Sequence, residues 1–181
     1  GWAHYLLGVA HYCRDELDAA RQHLAALVDK RHAVHAQALR NGVIGLVRVH
    51  LARGEIDAAW QMMELLAQMD VEGLGLEADD ARSLRAQLQV LRGETDRALR
   101  WADGFTTPLV YHPWHWLQNP HLAKAHILLA RGMDIDVRTA LEITAALNEL
   151  AERTFSVRFQ INVLAQRALA LAAQDGAVAA L

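Results

Sequence analysis

The stretch RGEIDAA at residues 53–59 returns as RGETDRA at residues 92–98, a separation of 39 residues. One interval nearer the N-terminus, residues 15–20 read DELDAA, where an acidic turn again precedes two alanines. LLARG at residues 128–132 resembles the start of the motif, and LALAAQDG at residues 169–176 begins a last partial copy. The chain therefore contains four related units and the start of a fifth.

Each unit has the pattern of two helices joined by a tight turn. A glycine such as Gly54 can adopt the left-handed conformation that ends a helix, and the acidic residue after it suits the positive end of the next helix dipole. The small Ala59, five residues after that glycine, allows the second helix to approach the first closely. One such hairpin cannot bury its own apolar faces, so the units are expected to stack in series. The sequence predicts an all-α fold, a right-handed superhelix (α-solenoid) of antiparallel helix pairs with a concave inner surface.

Nine helices are expected from the periodicity of apolar residues and from the turn signals. They are placed at about residues 2–13, 17–30, 35–53, 56–69, 77–92, 95–104, 118–131, 137–152 and 156–174. Together they are expected to form one domain over residues 1–181, with about four helix pairs and a partial fifth. The chain begins at Gly1 without an initiator Met and ends on a helical pattern, so we interpret it as a fragment of a larger protein.

Composition excludes several classes of protein. Ala and Leu supply about a third of the residues and there are three prolines, which favours helices. Apolar runs stop well short of the roughly 18 to 20 residues that cross a bilayer, and no signal peptide is present, so we expect a soluble, cytoplasmic protein without membrane contact. The single cysteine, Cys13, cannot form an internal disulfide. The net charge of -3 argues against general binding to phosphate backbones.

The packing residues of the first unit resemble the tetratricopeptide repeat (TPR) in phase, at Leu7, Gly8, Ala10, Tyr12, Leu17, Ala20, Leu24 and Leu27. Nearly all of the chain resembles more specifically the helical-repeat domain of MalT-like, LuxR-type bacterial transcriptional regulators. The stretches that carry this likeness are HYLLG at 4–8, DAARQHL at 18–24, GLV at 45–47, LARG at 51–54, ALRW at 98–101, HILLARG at 126–132 and ALAL at 168–171. They consist of packing residues, so the likeness concerns the family and names no ligand.

The resemblance implies a sensing domain that lies between an ATPase domain and a DNA-binding helix-turn-helix domain. Its partner would be a small-molecule inducer or a regulatory protein. The chain has no phosphate-binding loop of the GxxxxGK[ST] type, so ATP is expected only at the absent ATPase domain and no cofactor is expected here. It has no basic recognition helix either, so DNA would be contacted only through the absent helix-turn-helix domain.

Candidate binding residues follow from the repeat. If the first helix of each unit lines the concave face, as it does in related repeats, adding the repeat interval maps the inner positions. Nine of the polar and aromatic residues among them are the candidates: Tyr5, Tyr12, Asn41, Arg48, Asp80, Gln87, Asn119, His126 and Asn162. Such side chains can stack on and hydrogen-bond to a small ligand or a peptide. The alternative interpretation is a solvated inner wall without a ligand.

An aromatic loop is the most unusual local composition of the chain. Residues 111–116 read YHPWHW and contain Tyr111, Trp114 and Trp116 beside a proline. These rings could form a ligand-stacking patch or an interface. The commoner role for aromatics beside such a loop is to cover an exposed edge of the core.

Metal binding and catalysis are not expected. The spacing of His32 and His35, or of His112 and His115, suits a cation on a helix, but neither pair has a third ligand nearby in the sequence. No nucleophile, base and orienting group occur at a recognisable spacing, so the chain is not expected to be an enzyme. The leading hypothesis is a ligand-sensing or protein-interaction domain of a LuxR-type regulator. The alternative is an adaptor that docks a protein partner, or a second copy of itself as a homo-oligomer, without small-molecule sensing.

Overall fold

A computed structural model describes the backbone of residues 1–109 and 117–179 and the side chains up to residue 175. This part of the chain contains nine α-helices, one 3-10 turn and no strand, which confirms the all-α prediction. The helices are α1 (Trp2–Cys13), α2 (Leu17–Asp29), α3 (Ala36–Ala52), α4 (Ile56–Leu74), α5 (Asp79–Leu91), α6 (Thr95–Gly104), α7 (Pro120–Arg131), α8 (Asp134–Arg153) and α9 (Val157–Ala179), and the 3-10 turn is Arg31–Ala33.

A search of the described helices for one that is long and apolar enough to span a membrane finds none.

The turn between the two helices of a unit has the predicted glycine geometry. Gly54, Gly93 and Gly132 have positive φ angles of 73°, 78° and 73°. Asp15, one repeat interval before Gly54, adopts the same conformation with a φ of 60°. In the turn at Gly54, the N–H of Glu55 donates to the carbonyl of His50, five positions earlier in the chain, at 2.9 Å. This is the Schellman arrangement, which satisfies carbonyl groups that the helix end leaves open.

The small residues of the motif lie where the sequence places them. Ala20, Ala59 and Ala98 are all fully buried. A second close approach occurs inside the first hairpin, where a Cβ added at Gly8 would lie 2.6 Å from the Cγ of Leu24. Small residues at these positions allow the helices of a pair to pack at short distance.

Three helices differ from their predicted bounds by three residues or more, namely α4, α8 and α9, of which α9 continues to Ala179 instead of ending near residue 174. The sequence predicts that α4 ends near residue 69, but the helix continues to Leu74. It runs through Gly73 and ends at Gly75, which takes the left-handed conformation with a φ of 76°. Helix α8 begins at Asp134 instead of residue 137, so that Asp134 and Asp136 occupy its first turn, where negative charge is favourable.

The chain divides into two compact units, Gly1–Leu88 and Gln89–Leu181, which are described separately. In the first unit, α1 packs against α2 and α3, α2 packs against α3, and α3 packs against α4. Its core contains the fully buried side chains of Leu24, Leu27, Val43, Val47, Met63, Leu66 and Leu84.

In the second unit, α6 packs against α7, α7 against α8 and α9, and α8 against α9. Ala125, Ala140 and Ala170 form a buried cluster there, with Leu129 and Leu141 packed beside it. The prediction of one domain over residues 1–181 stays a prediction.

Candidate functional site

Three of the sequence-derived candidates come together in the first unit. Arg48 of α3 donates from Nη2 to Oε1 of Gln87 on α5, at 3.0 Å. The phenol of Tyr12 on α1 lies near enough to act electrostatically on the Arg48 guanidinium. We call Tyr12, Arg48 and Gln87 the inner cluster. It draws one side chain from each of three first helices.

The repeat explains why these residues meet. Arg48 and Gln87 are separated by one repeat interval of 39 residues, so they occupy the same position on successive first helices. Tyr12 lies 36 residues before Arg48, which is three fewer than the repeat interval. On α1 it therefore stands about one helical turn beyond the position that corresponds to Arg48, on the same side of the helix. The repeat positions are therefore the signal that finds the cluster from sequence.

The charged side chain of Arg48 is partly buried. Burial lowers the pKa of the Arg48 guanidinium, and the nearby Tyr12 phenol raises it in part, for a net lowering. The guanidinium still keeps its proton at neutral pH, because arginine side chains in proteins do not lose their proton under such conditions. A fixed positive group that is partly shielded from water interacts strongly with a carboxylate or another acceptor.

Asn41 and Asp80 form a second pair one repeat interval apart, and their surroundings differ. Asn41 is 3% exposed; its Oδ1 accepts from Gln37 Nε2 at 2.9 Å, and its buried Nδ2 has no hydrogen-bond partner among the described residues. Asp80 accepts two hydrogen bonds from the guanidinium of Arg40. Asp80 is therefore engaged in an ion pair between α3 and α5.

The ion pair of Asp80 belongs to a buried charge cluster. Arg40 Nε also donates to Asp70 on α4 at 2.6 Å, and the Asp70 side chain is only 1% exposed. Asp70 Oδ2 in turn accepts from the backbone N–H of Ala78 at 3.0 Å, before α5 begins. Burial lowers the pKa of Arg40, but hydrogen bonds to Asp80 and Asp70 outweigh it, so the pKa is raised overall. Arg40 and Asp70 were missed from sequence, because their separation of 30 residues follows no repeat interval.

Tyr5 lies in the core of the first unit. Its side chain is 1% exposed, and its ring meets that of Trp2 edge-on with centroids 5.8 Å apart. The structure thus places Tyr5 beneath the surface, whereas Tyr12 on the same helix is partly exposed.

The candidates of the second unit are dispersed. Asn119 caps α7, because its Oδ1 accepts from the N–H of Leu122 at 3.0 Å. His126 is exposed, and its Nδ1 lies 3.4 Å from Oε1 of Gln166. Asn162 is exposed on α9. These three residues are not brought into a cluster like that of the first unit.

Tyr111, Trp114 and Trp116, the aromatic loop of the sequence analysis, lie outside the described residues, as do His112 and His115. Of the other histidine pair, His35 caps α3 by accepting from the N–H of Gln37 at 3.2 Å. His32 Nε2 accepts from Arg31 at 3.3 Å. No group of three or more His, Cys, Asp or Glu side chains suited to a metal ion occurs within residues 1–109 and 117–175.

An open depression of about 800 Å³ lies beside α4 and α5 in the first unit. Arg85 lines it and pairs with Glu64 at 2.6 Å and with Glu77 at 3.0 Å. The Arg85 guanidinium also lies 5.6 Å from the centroid of the Trp60 ring, in cation–π contact. The positive charge of Arg85 in this depression is therefore already paired with two carboxylates and lies over an aromatic ring.

Comparison of the chain with protein-family models, with curated proteins and with solved structures finds no match.

Proposed function

We propose that the chain is the ligand-sensing domain of a LuxR-type, MalT-like transcriptional regulator, built from TPR-like helix pairs that form a right-handed superhelix. The inner cluster is the observation that carries this proposal, because Arg48 and Gln87 of two first helices are hydrogen-bonded to each other and Tyr12 of a third acts electrostatically on Arg48. The family assignment rests on the resemblance of the packing stretches. In such a regulator the chain would work in the cytoplasm and would control ATPase and DNA-binding domains outside it.

The chemistry of the inner cluster suits a small ligand with a carboxylate or a similar acceptor. Arg48 supplies a fixed positive charge and directional N–H donors. Gln87 supplies an amide that can donate and accept, and Tyr12 supplies an aromatic face and a hydroxyl. These are binding groups, and we propose no chemical reaction for them.

A thermal-shift screen of the protein against sugars, amino acids, nucleotides and small aromatic acids tests the proposal. A ligand present at 100 times its dissociation constant stabilises the folded state by about 2.7 kcal/mol, which raises the melting temperature by a few degrees. Calorimetry on each hit then gives the dissociation constant.

Two arginine variants locate the site. Arg48→Gln is expected to weaken a hit at least about tenfold, since a charge-assisted hydrogen bond is lost. Arg85→Gln removes another partly buried arginine from the separate depression and is expected to leave the affinity unchanged. A hit that is weakened by Arg85→Gln and kept by Arg48→Gln contradicts the inner cluster as the site. No hit, together with a defined complex with a regulatory protein, would favour the adaptor function instead.

A further inference from the structure

Helix α3 buries an amide donor that the first unit leaves unsatisfied. Asn41 is 3% exposed, and its Nδ2 has no hydrogen-bond partner among the described residues. The oxygen of the same amide is satisfied, because Asn41 Oδ1 accepts from Gln37 Nε2 at 2.9 Å. A buried N–H group without an acceptor is unfavourable, since it has left water without a replacement for the hydrogen bond. A bound molecule that brings an acceptor to Nδ2 removes this cost.

The unsatisfied amide lies on the side of α3 that carries the inner cluster. Asn41 and Arg48 are seven residues apart, close to two helical turns, so both side chains leave the helix on the same side. The position of Asn41 is occupied by Trp2 one interval earlier and by Asp80 one interval later, and both of these residues are partly exposed. The same side of the first helices therefore reaches a surface on α1 and on α5, next to Asn41.

Between the two polar groups this side of α3 is apolar. Ile44 and Gly45 lie three and four residues after Asn41, and neither has a polar side-chain atom. We call Asn41, Ile44, Gly45 and Arg48 the α3 stripe. Its two ends are separated by about 10 Å along the helix axis, since each residue of a helix adds about 1.5 Å. The α3 stripe therefore offers side-chain hydrogen bonds at its two ends and none between them.

The charges near Asn41 favour a neutral acceptor over a second carboxylate. Asp80, at the equivalent position of α5, shares the guanidinium of Arg40 with Asp70. This cluster has two carboxylates for one guanidinium, so its net charge is negative and it repels an anion. A carbonyl oxygen accepts a hydrogen bond without carrying that charge.

We infer that the ligand of the inner cluster is an elongated monocarboxylic acid with a neutral acceptor, such as an amide carbonyl, about 10 Å from its carboxylate. This inference rests on the proposed function and adds Asn41 as a residue that determines which acids bind. The carboxylate accepts from Arg48, and the carbonyl accepts from Asn41 Nδ2. Gln37 is partly exposed and its side chain contacts the Asn41 amide, so the carbonyl reaches Nδ2 when this side chain turns aside, without movement of the backbone.

Three linear acids serve as probes. Suberic acid monoamide carries a carboxylate and an amide at the ends of an eight-carbon chain, which spans about 10 Å when extended. Octanoic acid has the same chain and carboxylate but no amide, and succinic acid monoamide is too short to reach both ends of the α3 stripe. The full chain is labelled with nitrogen-15, and amide shifts are followed as each acid is added. We expect suberic acid monoamide to bind at least about tenfold more tightly than the other two acids and to shift the side-chain amide signal of Asn41.

Three variants separate the two ends of the ligand. Arg48→Gln is expected to weaken both long acids at least about tenfold, because both use their carboxylate there. Asn41→Leu is expected to weaken suberic acid monoamide at least about tenfold without weakening octanoic acid, so the effects of the amide and of Asn41 are coupled. Gln22→Leu also replaces an amide by leucine, at an exposed position of α2, and should change neither affinity. Circular dichroism checks that each variant keeps the fold.

The outcomes distinguish a failure of this inference from a failure of the proposed function. Binding of the long acids that Arg48→Gln weakens and Asn41→Leu leaves unchanged would overturn the inference and retain the inner cluster as a carboxylate site. Equal affinities of the unchanged protein for suberic acid monoamide and octanoic acid would overturn it in the same way. If none of the three acids binds saturably at millimolar concentration, the inference is wrong, and the thermal-shift screen decides separately whether the inner cluster binds another ligand.

Discussion

Replacing Gly8 by alanine tests the close packing of the first hairpin directly. A Cβ at this position would lie 2.6 Å from Cγ and 2.7 Å from Cδ2 of Leu24, whereas carbon atoms in contact normally keep about 3.5 to 4.0 Å apart. Leu24 is fully buried, and Cγ is not the free end of its side chain, so the two helices must separate by several tenths of an ångström or more. We expect Gly8→Ala to destabilise the protein.

The size of the effect follows from two opposing contributions. Forcing a methyl group into a packed interface costs about 2 to 3 kcal/mol when the overlap is this large. Alanine in a helix interior recovers about 1 kcal/mol relative to glycine. The net loss of unfolding free energy is therefore about 1 to 2 kcal/mol, a value that urea unfolding followed by circular dichroism at 222 nm measures readily.

Gly73→Ala is the matched control, since Gly73 also lies in a helix but a Cβ there would meet nothing within 4 Å. It should stabilise the protein by about 0.5 kcal/mol, because only the helix contribution remains and this contribution is smaller in the last turn of α4 than in a helix interior. A double-mutant cycle with Leu24→Ala should show coupling, because the added methyl then enters the space that Leu24 vacates. If Gly8→Ala were as stable as Gly73→Ala, the hairpin packing described above would be wrong.

Three further changes probe the polar groups, each read from urea unfolding. Asp70→Asn leaves the 13%-exposed Arg40 without one of its carboxylates and should lower the free energy of unfolding by about 3 kcal/mol. Asp18→Asn, which changes an 82%-exposed partner of Arg53, should lower it by less than about 1 kcal/mol. Equal losses for the two variants would refute the importance of burial. Asn41→Leu removes a buried Nδ2 without a described partner and should be neutral or stabilise by about 1 kcal/mol, and a large loss would show that the amide is satisfied. Hydrogen bonds from Arg131 lower the pKa of Asp136 in spite of its burial, so its contribution to stability is present above the usual aspartate pKa of about 3.9 and is lost as the pH falls through the lower folded value. In Asp136→Asn, the free energy of unfolding should therefore fall less steeply on acidification than in the unchanged protein, and this effect should be larger than in Asp103→Asn, which changes the exposed partner of the same arginine. An unchanged dependence of stability on pH in Asp136→Asn would contradict the stabilising role of Asp136.

The helices could be predicted from sequence because their ends depend on local chemistry. Gly54 and Gly93 end a helix wherever they stand in the fold, since the left-handed conformation costs them little. Asp15 performs the same task at greater cost, and only the repeat interval identifies it. The predicted end of α4 is too early because Gly73 and Gly75 lower the helix propensity of the stretch after residue 69, whereas in the structure Gly73 continues the helix and Gly75 caps it.

The charge cluster could not be predicted, because no local rule connects its members. Arg40 meets Asp70 and Asp80 across three helices, at separations of 30 and 40 residues. Helical periodicity shows which residues share a face of one helix, but the pairing of charges between helices depends on how those helices pack. Asp80 was consequently assigned to a binding surface, while the structure shows it held by a buried arginine.

Comparison of equivalent positions in the first unit separates core from surface better than any single residue does. The position of Tyr5 is occupied by Ile44 and Ser83 at the next two intervals, and all three are almost fully buried, at 1%, 4% and 0% exposure. An apolar residue and a small one at the equivalent positions indicate a core position, although Tyr5 alone has the chemistry of a binding residue. The position of Arg48 is occupied one interval later by Gln87, and both are partly exposed, whereas one interval earlier it is occupied by Val9, which is 6% exposed. The polar residues at this position on α3 and α5 could belong to an apolar core only if partners satisfied their polar groups, so on these two helices the position indicates a surface. This is the physical reason why Arg48 and Gln87 are partly exposed while Tyr5 lies in the core.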